Sequence, residues 1–441
     1  MTLTSPIRNP DLRNPSVMTR RAWWLIILSI IIPGSAQLLA GNRRLGRILF
    51  GSWLSMLAIV VIGFALNAFV PAFALTIATS WWGLLALQIG LVYVAIVWFV
   101  GAVDTFRLLR FVYVGQRAKA WVAFAVIVSI LVPAGAASYA SFLTGVSRST
   151  LADIFANQAD IVEPIDGVYT FLLIGGDAGK NRISRRTDSM SFATVDATTG
   201  QVTIVGLPRN LYNAPFIEGS PMLRDWPNGF NCGDECLLAY VYTYGLDHPE
   251  LYPSVGSNSD PGVEALRDSV EEIVGMPVQF YVGVDMASFK DLVDAVGGVD
   301  ITLKTPVNVC KVGEPITYTF QPGKIHMDGK LALMYARTRC DTNDYDRMAR
   351  QRELETALFK QVKPSVIVAR FQELASVSTN LIKTDVPQSM VGIFLDLAQK
   401  GRTLPIQREE LVPPKFDNLY PDWTLSKQLV HDAVFPESSN G

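Results

Sequence analysis

The sequence predicts transmembrane helices at the N-terminus followed by an extracytoplasmic α/β/α domain with a mixed central sheet. Three observations carry this. Apolar residues make up 49% of the 441-residue chain, and the excess lies before position 145. Beyond it, short apolar runs alternate with stretches at helical spacing, the order that builds α/β layers. Charged residues then gather just past the apolar runs, where ligands sit in α/β sheets. The net charge of -2 argues against binding a polyanion by bulk charge.

Residues 1–18 are polar and contain proline, and read as a disordered cytoplasmic tail. Residues 19–143 form the membrane segment. Apolar runs at Ala22–Ala40, Ile48–Val70, Trp81–Val103 and Trp121–Phe142 approach or exceed the roughly 20 residues a spanning helix needs. A cleaved signal peptide is not expected, because the apolar material continues far beyond one such region. Arg13, Arg20 and Arg21 precede the first run, and Arg43, Arg44 and Arg47 follow it. Arg107, Arg110, Arg117 and Lys119 form another basic loop, whereas the stretch Pro71–Ser80 carries no charge. The positive-inside rule places both basic loops in the cytoplasm and everything after the fourth run outside. The first run then admits two topologies. Either the N-terminus lies outside despite its arginines, or Pro33-Gly34 breaks the run into a re-entrant hairpin, the reading the charges favour.

A polar linker is expected at 144–166, and the extracytoplasmic domain at 167–441 with its core in 167–363. Val168–Ile174, Met190–Val195 and Val202–Leu207 read as buried strands. An irregular stretch covers 210–260, with Leu237–Tyr244 helical inside it. A loop of that length in a compact domain is functional or mobile. Gly262–Val274 places Val263, Leu266, Val270 and Ile273 at helical spacing. A strand at Gln279–Val284, a helix at Ala287–Val296 and a strand at Asp300–Leu303 follow. Gly323–Gly329 reads as a turn, Lys330–Tyr335 as a helix or strand, and 345–362 as a long helix. The C-terminal part is helical, at Pro387–Lys400 and Thr424–Val434.

The four cysteines, Cys232, Cys236, Cys310 and Cys340, all fall where disulfides persist, outside the membrane. Three pairings are open, and the simplest joins Cys232 to Cys236 and Cys310 to Cys340. No zinc-type spacing and no neighbouring histidine supports a metal role for them.

Two charged clusters stand out. The first runs from GGD, ending at Asp177, through RRTDSM, with Arg186 and Asp188, to GLPRN, with Arg209. The second holds Tyr335, Arg337 and Arg339, then Asp344, Asp346, Arg347, Arg350 and Gln351. Arg347, Arg350 and Gln351 share a helical face by their spacing. Salt bridges on a solvated rim would explain either cluster alone. Arginine with little lysine, however, favours planar recognition of phosphate, and carboxylates can hold a divalent cation.

GGD, RTDSM and PRN, then MDGKLALMYARTR and DRMARQR, resemble in order and spacing the motifs of the LytR–CpsA–Psr family of cell-wall glycopolymer ligases. The match covers about 167–363, and the multi-run membrane segment is similar to that of actinobacterial members. The resemblance implies a transferase moving a glycopolymer phosphate from a polyprenyl-pyrophosphate-linked donor to peptidoglycan. It implies Asp177 and Asp188 as ligands of Mg²⁺. It also implies Arg186, Arg209, Arg337 and Arg339 around the pyrophosphate, with Arg347, Arg350 and Gln351 on its helical border. Asn210 departs from the acid the family has after its Pro-Arg pair, and Cys340 stands where histidine or glycine is common elsewhere. A polyprenyl-pyrophosphate pyrophosphatase would use the same residues. A non-enzymatic membrane regulator and a cell-wall binding module with a degenerate site are the other classes. No helix-turn-helix or basic stripe supports contact with nucleic acid.

Overall fold

The structure is a computed structural model describing residues 7–8, 10–69, 77, 79–155, 161–176, 187–256, 258–310, 314–340, 342–361 and 382–436. It divides into two units, Met1–Arg148 and Ser149–Gly441.

The first unit holds α1 (Pro15–Ile31), α2 (Ser35–Ala40), α3 (Arg43–Phe69) and α4 (Trp81–Leu109), and its last helix, α5 (Gln116–Ile154), runs past its boundary. Asn14 caps α1 through its side chain, so the helix begins inside the tail expected at 1–18. Among the described residues three helices are long and apolar enough to cross a membrane: Arg43–Phe69, Trp81–Leu109 and Gln116–Ala152. The run Ala22–Ala40 is not one of them. Gly34 adopts a left-handed φ of 90° after Pro33 and splits it into α1 and the short α2. The two pieces form a hairpin along α4. Arg21 Nη1 donates to the Leu108 carbonyl at 2.8 Å, and Gly41, beyond α2, also packs on Leu108. Between these ends, the Gln37 amide donates to the Gly101 carbonyl and to Thr105. Both ends of the hairpin therefore lie at one end of α4. The chain does not become a linker at 144, because α5 continues to Ile154.

The second unit contains β1 (Val168–Gly176), β2 (Thr187–Asp196), β3 (Val202–Leu207), α6 (Leu238–Asp247), α7 (Pro261–Val274), β4 (Phe280–Asp285) and α8 (Met286–Val296). Then come β5 (Val299–Leu303), β6 (Val307–Val309), β7 (Tyr318–Phe320), β8 (Gly323–Met327), α9 (Gly329–Arg337) and α10 (Asp344–Gln361). The chain ends with β9 (Ile382–Thr384), α11 (Val391–Gly401), β10 (Gln407–Glu410) and α12 (Trp423–Val434). A six-stranded sheet has the order β10-β3-β2-β1-β4-β9. It is mixed: β1 runs parallel to β4 and β10 parallel to β3, while the other pairs are antiparallel.

One face of the sheet buries Leu172, Met190, Phe192 and Val205 against Val263, Leu266, Val270 and Ile273 of α7 and Val430 of α12. The other face packs Ala193 and Ile204 against Phe359 of α10. Asp260 caps α7 through Val263 N at 3.0 Å, Pro261 occupies its first position, and Gly275 ends it at a φ of 71°. The stretch Gly323–Gly329 is not simply a turn. Gly323–Met327 is β8, paired with β5 from Val299↔Met327 to Leu303↔Gly323, a partner too distant in sequence for local turn residues to reveal. Both disulfides join as the simplest pairing has them, Cys232–Cys236 and Cys310–Cys340.

Candidate active site

The strand register assembles the site. Gly176 at the end of β1 pairs with Thr187 at the start of β2, and Met190 pairs with Leu207 at the end of β3. Asp188 and Arg209 thus emerge at the same end of the sheet. A reciprocal cap brings α10 to them. Asp346 N donates to the Asn343 side chain at 2.9 Å, and Asn343 N donates back to the Asp346 carboxylate at 3.2 Å. This is a capping box with aspartate in place of the usual glutamate. It sets Asp344 in the first turn of α10 and Arg347 one turn later.

Three guanidinium groups then meet two carboxylates. Arg209 Nη1 donates to Asp188 Oδ1 at 2.8 Å, and its Nε donates to Asp344 Oδ2 at 3.2 Å. Arg347 Nη2 donates to the Asp188 carbonyl at 3.1 Å and to Asp344 Oδ2 at 3.2 Å. Arg339 Nη1 lies 3.6 Å from Asp344 Oδ1. Arg347 is the deepest, 6% exposed at its side chain, whereas Arg339 is 39% exposed. Burial lowers the Arg347 pKa, against the pull of Asp344 and Asp188. It stays charged regardless, since arginine does not deprotonate in proteins.

The other expected residues divide. Arg337 ends α9 and is exposed. Residues 338 and 340 are buried and 337 and 339 exposed, so the extended chain after α9 points both arginines outward. Gln351 is buried, and its amide donates to the Ala336 carbonyl at 3.4 Å. Arg350 does not join the cluster. Its Nη2 donates to the Thr338 carbonyl and to Thr342 Oγ1 rather than to Asp188 or Asp344. Burial lowers its pKa, against Tyr335 and Asp346. Asn210 accepts from the Asn418 amide at 3.0 Å, which ties the loop after β3 to the C-terminal part. Asp177 and Arg186 lie outside the described residues.

Asp344 is the functional residue that sequence reasoning left without a role. It contacts Arg209, Arg339 and Arg347. Its position three residues before Arg347 was the available signal.

Beside this cluster is an apolar cavity of about 210 Å³ between the sheet and the helices α8, α9 and α10. Leu173, Ile174, Val282, Val284, Leu292 and Leu354 line it, with Gln351 at its polar edge. Among the described residues, no group of three or more His, Cys, Asp or Glu could hold a metal. Asp188 supplies hard oxygen donors, whereas Asp344 Oδ1 already lies 3.2 Å from Arg209 Nη2 and from Arg347 Nη2. A carboxylate such as that of Asp188 suits Mg²⁺, which takes one or two carboxylates and completes its shell with water and substrate phosphates.

The family model described as LytR_cpsA_psr matches residues 145–413. The chain is 30% identical over 233 residues to the polyisoprenyl-teichoic acid–peptidoglycan teichoic acid transferase TagU of Enterococcus faecalis, covering 52% of this chain and 65% of that protein. It is 26% identical over 281 residues to the protein of the same name from Bacillus licheniformis, covering 62% and 80%. The crystal structure of B. subtilis TagV overlays with a TM-score of 0.44 at 19% identity, covering 61% of this chain and 96% of that one. The match to the family model spans more than half the sequence, from the end of α5 to beyond β10: the chain belongs to the LytR_cpsA_psr family.

Proposed function

We propose that the protein transfers a glycopolymer phosphate from a polyprenyl-pyrophosphate-linked donor to a peptidoglycan hydroxyl, releasing polyprenyl phosphate. One observation carries this reading: Arg209, Arg339 and Arg347 converge on Asp188 and Asp344 beside an apolar cavity. Such a layout suits a substrate that is anionic at one end and aliphatic at the other. The names of the curated relatives, transferases of teichoic acid to peptidoglycan, support the same class.

Transfer of a phosphoryl group demands positioning and charge stabilisation more than covalent chemistry. Arg209 and Arg339 would take the pyrophosphate oxygens, since their side chains are 23% and 39% exposed against 6% for Arg347. The buried Arg347 would hold Asp188 and Asp344 in place. Part of the prenyl tail would enter the cavity lined by Leu173, Val282 and Leu354. Mg²⁺ would be held by Asp188, together with Asp177 as the resemblance implies, and would supply charge neutralisation at the phosphates. Anchoring by the apolar helices confines the enzyme to the surface that carries its lipid-linked donor, which raises the effective concentration of each for the other.

Arg209→Ala tests the reading. Loss of one donor to developing charge costs about a hundredfold in turnover, so transfer from a lipid-linked donor should fall by that order while the fold persists. Near wild-type transfer by this variant would remove the assignment. Running the assay with and without peptidoglycan fragments separates ligation from release of lipid phosphate by water.

A further inference from the structure

Arg20 and Arg21 are neighbours in the sequence and differ in their surroundings. Arg21 is buried, and its guanidinium donates to the carbonyls of Ile7 at 2.6 Å and Leu108 at 2.8 Å. Arg20 is exposed and lines an open cavity of about 700 Å³ between α1 and the start of α5. Arg117, also exposed, lines it from the α5 side. The described lining holds no carboxylate: neither Asp11, which accepts from Arg13 N at 2.9 Å, nor Asp104 is part of it. The first turn of α5 forms one wall and carries no acid, so the helix end adds partial positive charge. Two guanidinium groups and a helix N-terminus thus border one space, and the space supplies no anion of its own.

The rest of the lining is ordered along α1. Ser16 and Arg20 come first, Trp23 and Trp24 one turn later, and Ile27 one turn beyond them, a spacing that keeps them on one side of the helix. Arg20 and Ile27 are about 10 Å apart along the axis. Contacts with α4 give this order a direction. Arg21 meets Leu108, and farther along α1 the Ile30 carbonyl accepts from Trp98 Nε1 at 3.1 Å. So α1 runs antiparallel to α4, from the end that carries Arg107 toward the apolar body of that helix. Cation, indole, aliphatic side chain is the order met on entering a bilayer, where tryptophan sits at headgroup level. The cavity is also preformed. Thr19 ties its two walls, because its hydroxyl donates to the Pro15 carbonyl at 2.8 Å and accepts from Gly115 N at 3.1 Å.

We propose that this cavity seats one anionic phospholipid, with its phosphate on Arg20 and Arg117 and the start of an acyl chain along Trp23, Trp24 and Ile27. Arginine forks suit phosphate oxygens. A soluble anion would use only the charged end of the lining, and a zwitterionic lipid would set its own cation against the two arginines. An anionic phospholipid matches the lining along its whole length, and once seated it bridges α1 and α5. The site lies wholly within the first unit and does not depend on the ligase reading.

The test titrates the full chain in neutral detergent with short-chain phosphatidylglycerol, with phosphatidylcholine of the same chain length, and with inorganic phosphate. Phosphatidylglycerol should bind about tenfold more tightly than phosphatidylcholine and raise the melting temperature, and inorganic phosphate should not displace it. Arg20→Gln combined with Arg117→Gln should erase the preference. Arg43→Gln combined with Arg44→Gln removes the same charge from exposed positions outside the cavity and should leave the preference intact. Arg20→Lys combined with Arg117→Lys keeps the charge and should keep the preference, which separates lost binding from lost folding. Equal affinity for the two lipids would overturn the proposal. Displacement by inorganic phosphate would overturn it too, as would an equal loss in both glutamine pairs, which would mark a diffuse charge effect.

Discussion

Asp344 shows how one side chain can organise a site. Two buried or half-buried arginines and one exposed one reach it, and Asp188 offsets only part of their charge. Asp344→Asn keeps the shape and removes the charge, leaving Arg347 at 6% exposure with Asp188 Oδ1 at 4.0 Å as its remaining acid. Loss of one partner of a fully buried pair costs about 3–5 kcal/mol. At the partial exposure of Asp344 the cost should be about 2 kcal/mol. We expect a lower denaturation midpoint and reduced transfer together, read by urea unfolding and the ligation assay; a variant with full stability would show that the three arginines do not depend on it. The sequence made Asp188 and Arg209 legible because each follows or begins an apolar run. It did not reveal Asp344, because an acid in the first turn of a helix already has a sufficient local reason, the helix dipole. Arg350 was assigned to the wrong flank for a geometric reason. Three residues of helix turn through about 300°, so Arg347 and Arg350 sit about 60° apart, and Arg347 reaches the Asp188 carbonyl whereas Arg350 reaches the Thr338 carbonyl.

At the scale of elements, strands with local partners and helices with clear caps were legible, and the late pieces of the sheet were not. β10 is only Gln407–Glu410, yet it pairs with β3 from Gln407↔Thr203 to Glu410↔Gly206. Four residues rich in charge give no alternating pattern to read. What brings β10 to its place is the helix before it. α11 ends at Gly401, where an added Cβ would lie 1.8 Å from the Gly200 carbonyl oxygen. In return, a Cβ on Gly200, at a φ of +73°, would lie 2.1 Å from the Leu397 carbonyl oxygen. Two backbones touch where the β2–β3 turn meets the end of α11, and neither has a flexible side chain to move aside. Gly401→Ala should therefore force the helix off the turn at a cost of about 2–3 kcal/mol. Denaturant unfolding of the full chain in detergent reads this directly. A variant as stable as the parent would mean that the helix docks elsewhere in solution.

The molecule as a whole depends on which side of the membrane its two ends occupy. Basic residues at Arg43, Arg44 and Arg47 precede α3, and Arg107, Arg110, Arg117 and Lys119 lie between the body of α4 and that of α5. With α1 and α2 folded back so that Arg21 and Gly41 both meet Leu108, the N-terminal tail joins these residues at the same end of α4. The hairpin resolves the conflict that four straight spans would create, in which the arginines before the first span would face outward against the charge rule. Polar atoms inside such a hairpin need protein cover, and Gln37 and Ser29 have it: Gln37 bonds Gly101 and Thr105, and Thr105 bonds Ser29. Three spans instead of four would predict an N-terminus and a second unit on opposite sides of the membrane. Protease added to intact spheroplasts should then remove a C-terminal tag and spare an N-terminal one until the membrane is permeabilised. Cleavage of both tags in intact cells would mean that the first run crosses. Protection of the C-terminal tag would place the arginine site on the side away from peptidoglycan, and would take the proposed acceptor out of reach.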